Sequence, residues 1–194
     1  MDKGVVRIKF TDYETSVTEA LDAISASDVL PEEGSIIIKP NLINKDGPPV
    51  TTNVAIVEAI YKYCRPRTDA EIMIGEGCGE GTTWETFKAN GYTDLAERNG
   101  IRLVDLNREK TVTLKNDRAL QLKHFHIPEV VRDAFVISVP VLKDHSLTVT
   151  TISMKNMFGI APASHYKGAW NKSKLHSPST LKACIFTARK GNWA

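Results

Sequence analysis

Three lysines in this 194-residue chain stand where charge can be used: Lys39, Lys143 and Lys155 each lie at or just beyond the end of an apolar run that reads as a strand, or open the helix after it. Amides and hydroxyls accompany them, namely Asn41 and Asn156 with Thr51, Thr52 and Thr148. Three ammonium groups with such neighbours suit a phosphate or a carboxylate, because charge-assisted hydrogen bonds are the strong ones and helix N-termini add donors. The plainer alternative is a set of solvated strand-end lysines. His145, next but one to Lys143 and just before a Ser/Thr run, is the candidate for proton transfer. Glu76 lies in Gly75-Glu76-Gly77-Cys78-Gly79-Glu80-Gly81 and is a candidate general base or metal ligand, against the reading of a tight turn with exposed carboxylates.

Other constellations carry less. The glycine loop does not spell a dinucleotide fingerprint, since Glu80 takes the last glycine's place, and it lacks the lysine of a phosphate loop. His124 and His126 share one face of a strand and would suit a divalent metal, although edge-strand histidines are more often simply exposed. No nucleophile elbow is present. Cys64, Cys78 and Cys184 are widely spaced without a C-x-x-C, so neither a zinc site nor an iron–sulfur cluster can be built from this chain's own cysteines alone. The cofactor therefore stays unknown.

These residues need a scaffold, and its grammar is that of βαβ units. Val5 to Phe10 partly alternates as a first strand, and Ser16 with Glu19 forms a capping box for the helix that follows. Ser35 to Lys39 is a β-branched run suited to a buried strand, and Asn53 or a neighbouring threonine caps a helix over Val54 to Tyr63. Ala70 to Ile74 is a third strand, leading through the glycine loop into a helix capped at Thr82 or Thr83. Gly91 and Gly100 stop two short helices, and Ile101 to Leu106 is the next strand. Thr111 to Leu114 and Leu120 to His126 form an edge hairpin around a turn at Lys115 to Arg118. Phe135 to Val139 reads as a central strand buried on both faces and closed by Pro140, and Ser179 to Ala188 as a last helix. The expected fold is three-layer α/β/α with a mostly parallel sheet and an edge hairpin, in one domain over residues 1–194, with its ligand site beyond the carboxyl ends of the strands.

Composition narrows the partners. No apolar run approaches the roughly 18 residues of a membrane span and no signal-peptide core opens the chain, so no membrane partner is expected and the default location is cytoplasmic. Residues 1–100 hold 10 Lys/Arg against 17 Asp/Glu, whereas residues 101–194 hold 15 against 6. This polarity favours an anionic partner on the C-terminal side, unless it is only a solvated basic tail. Nucleic acid is disfavoured, because aromatic residues are sparse there and no basic recognition helix is visible.

KPNLI at 39–43, the TTN-opened helix at 51–60, IGEG at 74–77, GYTDLAERNGIRLVDLN at 91–107 and above all VPVLKDHSLTVTTISMKNMFG at 139–159 resemble the domain-of-unknown-function family 362. The resemblance implies an uncharacterised domain, some of whose relatives carry an appended iron–sulfur module; that module is absent here. It also implies a longer C-terminal part than the one present, so that the chain looks truncated or divergent on that side. Uncovered sheet edge would then drive homodimerisation. The expectation for function is a small anionic metabolite bound by Lys39, Asn41, Thr51, Thr52, Lys155 and Asn156, with Lys143, His145 and Glu76 as the candidates for catalysis. Its rivals are a redox accessory protein that docks a metal or iron–sulfur partner protein, and an inactive fragment.

Overall fold

The computed structural model describes residues 4–119, 122–145 and 149–176. Four parallel strands form its centre: β1 (Ser35–Pro40), β2 (Glu71–Glu76), β3 (Arg102–Asp105) and β6 (Phe135–Val139), in the order β3-β2-β1-β6. The fold class is the expected three-layer α/β. From β1 the chain winds outward through α2 (Val54–Cys64) to β2, and through α3 (Thr83–Ala89) and α4 (Tyr92–Asn99) to β3. It then crosses to the other edge of β1 to lay down β6. The winding direction thus reverses between β1 and β6, and such a switch point opens a crevice at the carboxyl ends of the two strands.

Side-chain alternation assigns the two faces. Ile36, Ile38, Ile72 and Ile74 pack with Val57, Ile60 and Tyr63 of α2, Phe87 of α3 and Leu95 of α4. The first helix, α1 (Tyr13–Ala23), lays Val17 and Leu21 on the same cluster. Ile37, Met73, Val104 and Val136 point the other way, onto Ile127 and Val131. Those two belong to the hairpin β4 (Thr111–Lys115) and β5 (His124–Pro128) and to the one-turn helix α5 (Glu129–Arg132). The first layer is therefore helical, and the second is mainly hairpin and short turns.

Four expectations need correction. Residues 5–10 form no strand, and Val5 is 99% exposed; among the described residues their alternation finds no neighbouring strand to pair with. The cap of α1 is Asp12, which accepts the Thr15 N–H at 2.9 Å, while the Ser16 hydroxyl accepts the Thr11 N–H instead. The hairpin pairs Thr111 with Pro128 and Lys115 with His124, so Leu122 and Lys123 are not part of its second strand, while Leu120 and Gln121 of the expected strand lie outside the described residues. Finally β6 is an edge strand among the described residues, with Phe135, Ile137 and Ser138 only partly buried. The expected helix at Ser179 to Ala188 lies outside the described residues.

Of the three candidate caps for α2, Thr51, Thr52 and Asn53, it is Asn53 that serves: its Oδ1 accepts the Ala55 N–H at 2.9 Å and its Nδ2 donates to the Tyr13 hydroxyl at 3.0 Å. Asn53→Ala is expected to cost about 1 kcal/mol, read as a lower urea midpoint at unchanged slope.

Candidate functional site

The carboxyl ends of β1 and β2 carry Lys39 and Glu76, and both side chains are almost wholly buried, at 1% and 3% exposure. The Lys39 ammonium donates to Glu76 Oε1 at 3.1 Å and Oε2 at 3.0 Å, to Asn156 Oδ1 at 3.1 Å and to the Pro40 carbonyl at 3.0 Å. Glu76 also accepts the Gly77 N–H at 2.7 Å and the Leu42 N–H at 3.1 Å. Burial pulls the Lys39 pKa below its ordinary value, and the Glu76 charge opposes that pull. Glu76 is thus not an exposed turn carboxylate. It holds Lys39 and the two chain segments that leave the strands.

Asn156 closes the switch point. It ends the short helix α6 (Ser153–Asn156), is buried, and its Nδ2 donates to the Lys39 carbonyl of β1 at 3.1 Å and to the Ser138 hydroxyl of β6 at 3.0 Å. Asn41 Nδ2 reaches Asn156 Oδ1 at 3.4 Å. Gly159 lies so close over the cluster that a Cβ there would stand 2.3 Å from Glu76 Oε1 and 2.6 Å from Lys39 Nζ.

Above this floor opens a cavity of about 410 Å³. Of the residues singled out from sequence, Lys39, Asn41, Glu76, Lys143, His145, Lys155 and Asn156 line it. Thr51 and Thr52 do not: the Thr51 hydroxyl donates to the Asp46 carbonyl and to Asn90 Oδ1, and that of Thr52 donates to the Val139 carbonyl while accepting the Asn41 N–H. They tie the loop after β1 to its surroundings. Thr148 lies outside the described residues. Lys143 begins β7 (Lys143–His145), which pairs with β8 (Val149–Thr151), and its Nζ donates to the Val50 carbonyl. Burial lowers its pKa, with Glu76 opposing. Lys155 stands 4.6 Å over the Phe158 ring, and its pKa is pushed down to about 8 by burial, then by Lys143 and Lys39.

Sequence reasoning missed Lys172, Trp170, Glu80 and Asn107. Lys172 is 3% exposed, lines the cavity, and donates to Asn107 Oδ1 and to the carbonyls of Gly159 and Ala161. Burial holds its pKa near 7. Asn107 follows β3 and donates to the Cys78 carbonyl at 3.1 Å, which fixes the glycine loop against the end of the third strand. Its position beyond a strand's carboxyl end was the available signal; Lys172 sits in an aperiodic basic run that offers none.

His126 stacks face to face on His165 with ring centroids 3.8 Å apart, its Nδ1 is 3.1 Å from the Thr113 hydroxyl, and His124 is exposed. Among the described residues no three His, Cys, Asp or Glu side chains gather in a way that would hold a metal ion. Cys64 and Cys78 are buried free thiols whose pKa values burial raises.

A family model described as a domain of unknown function (DUF362) matches residues 36–190. A curated thylakoid-associated protein of Synechocystis sp. is 26% identical over 130 residues, which make up 66% of this chain and 39% of that protein. The chain therefore spans well under half the length of the curated relative it matches. No solved structure matches it. Among the described residues no helix is long and apolar enough to cross a membrane.

Proposed function

We propose, on the premise that this chain belongs to the DUF362 family, that it binds a small anionic metabolite, a phosphate or a carboxylate, in the cavity at the carboxyl ends of β1 and β2. One observation carries the reading. Four lysines but only two carboxylates, Glu76 and Glu80, line the cavity, and Glu76 is already spent on Lys39. The excess is positive, partly desolvated and convergent, and an anion relieves the mutual repulsion that helps to depress Lys155. Lys143 and Lys155 are the groups that meet the anion. Lys39, Glu76 and Asn156 keep the floor rigid beneath it. If the ligand is turned over, Lys155, whose pKa is near the working pH, and His145, which lines the same cavity, are the groups placed to move a proton.

A ligand that binds only the folded chain raises its melting temperature. Phosphate or citrate is expected to do so, and Lys143→Ala or Lys155→Ala to weaken binding about tenfold, the worth of one charge-assisted hydrogen bond. The charged form of Lys155 is the one that binds, so affinity falls as pH rises through about 8, and Lys155→Ala loses that slope. Titration calorimetry at several pH values checks both. A chain that no anion stabilises, or whose affinity is indifferent to both lysines, refutes the proposal.

A further inference from the structure

Two side-chain oxygens of cavity-lining residues have no hydrogen-bond partner: one is an amide acceptor, the other a hydroxyl that can accept or donate. Among the described residues, the buried side-chain polar atoms left without a hydrogen-bond partner are Asn41 Oδ1 and Thr151 Oγ1. Both residues line the cavity, and Thr151 is 2% exposed. Buried polar groups in folded proteins are nearly always paired, so two orphans at one cavity, and none elsewhere among the described residues, point to what the cavity is shaped to receive.

The orientation of Asn41 is set by its neighbours. Asn156 must present Nδ2 to the Lys39 carbonyl and the Ser138 hydroxyl, which turns its Oδ1 towards the Lys39 ammonium and towards Asn41. Asn41 therefore offers its NH2 to that oxygen, and its own Oδ1 is left over. A carbonyl oxygen only accepts. The lysines satisfy an anion, but neither a bare carboxylate nor a phosphate dianion brings a proton for Asn41 Oδ1. Glu80, also on the cavity wall, is a further acceptor. Asn41 Oδ1 is itself buried, while the residue as a whole is partly exposed and lines the cavity.

We infer that the anion carries a hydroxyl: it is a hydroxy acid or the phosphate ester of a polyol, its anionic group against Lys143 and Lys155 and its hydroxyl donating to Asn41 Oδ1, with Thr151 as a second partner. This rests on the anion-binding reading and adds the class of ligand to it.

The test is a set of matched pairs titrated into the full chain: lactate against propionate, and glycerol 3-phosphate against propyl phosphate. In at least one pair the hydroxylated member is expected to bind about tenfold tighter or more, because a site built to pair a hydroxyl leaves its own acceptor stranded when the hydroxyl is missing. The pair that shows the gap tells a carboxylate from a phosphate ester. N41L is expected to close most of the gap by weakening the hydroxylated member alone, and T151V to close part of it. Equal affinity within both pairs overturns the inference and leaves anion binding standing, as does a gap that survives both variants. Failure of all four compounds to bind overturns the inference, and the reading beneath it falls as well only if phosphate and citrate also fail to stabilise the chain. The wild-type comparison needs no variant, so it decides even if N41L does not fold.

Discussion

Lys39→Met is expected to cost the fold about 3–5 kcal/mol, the usual penalty for removing one partner of a buried ion pair. Glu76 would keep its two backbone donors, the N–H groups of Leu42 and Gly77, but would lose the only cation bonded to it among the described residues. At 3% side-chain exposure it has little access to water in compensation. The Asn156 oxygen and the Pro40 carbonyl would lose a donor as well. Pairing the change with Glu76→Gln separates charge from shape. The double variant has no stranded charge and still offers an amide oxygen to one of the two N–H groups, so it should recover a large part of the loss. Urea denaturation of wild type, both single variants and the double variant measures the coupling as a cycle. A Lys39→Met variant within about 1 kcal/mol of wild type would show that the pair behaves like a solvated surface one, and the rigid floor of the site would go with it.

The same cluster shows how far sequence alone reaches. The β-branched run Ile36-Ile37-Ile38 and the punctuation after it place Lys39 at a strand's carboxyl end, and similar local signals place Glu76, Lys143 and Asn156. A parallel sheet brings carboxyl ends to one edge, so convergence followed from topology without knowledge of contacts. Pairing did not follow. That Lys39 is spent on Glu76 depends on the order β2-β1-β6 and on a glycine 83 residues beyond Glu76 in the chain, which no local pattern reports. Thr51 and Thr52 have the right types for ligand contact, and only the path of the loop turns their hydroxyls into braces. At the N-terminus the local signals competed: Asp12 and Ser16 are both good caps one turn apart, and the earlier one won. Residues 5–10 alternate like a strand, but a strand is made by its neighbour, and none is there among the described residues. Lys172 is the extreme case. Its burial depends on acceptors from Asn107, Gly159 and Ala161, two segments that the fold alone brings around it.

Gly159→Ala tests whether that cluster is as tightly closed as its distances imply. The added Cβ would lie 2.3 Å from Glu76 Oε1, 2.6 Å from Lys39 Nζ and 2.8 Å from Lys39 Cε. None of these atoms ends a flexible exposed chain. Each belongs to a buried side chain held by several hydrogen bonds, and moving either one opens the ion pair. The backbone cannot retreat freely, because the Gly159 carbonyl accepts from Lys172 and would itself stand 2.5 Å from a Cβ at Gly77. Overpacking with partial loss of the pair is expected to cost about 3 kcal/mol and to weaken anion binding by about tenfold or more, since Lys143 and Lys155 then lose their fixed floor. Gly47→Ala is the control: a Cβ there meets nothing within 4 Å, and it should stay within about 0.5 kcal/mol of wild type. Thermal melts and calorimetry with phosphate on the two variants give both numbers. Were Gly159→Ala as stable as Gly47→Ala and equal to it in anion affinity, the glycine would not be the lid over the ion pair, and the cavity floor would have to be freer to move than its hydrogen bonds allow.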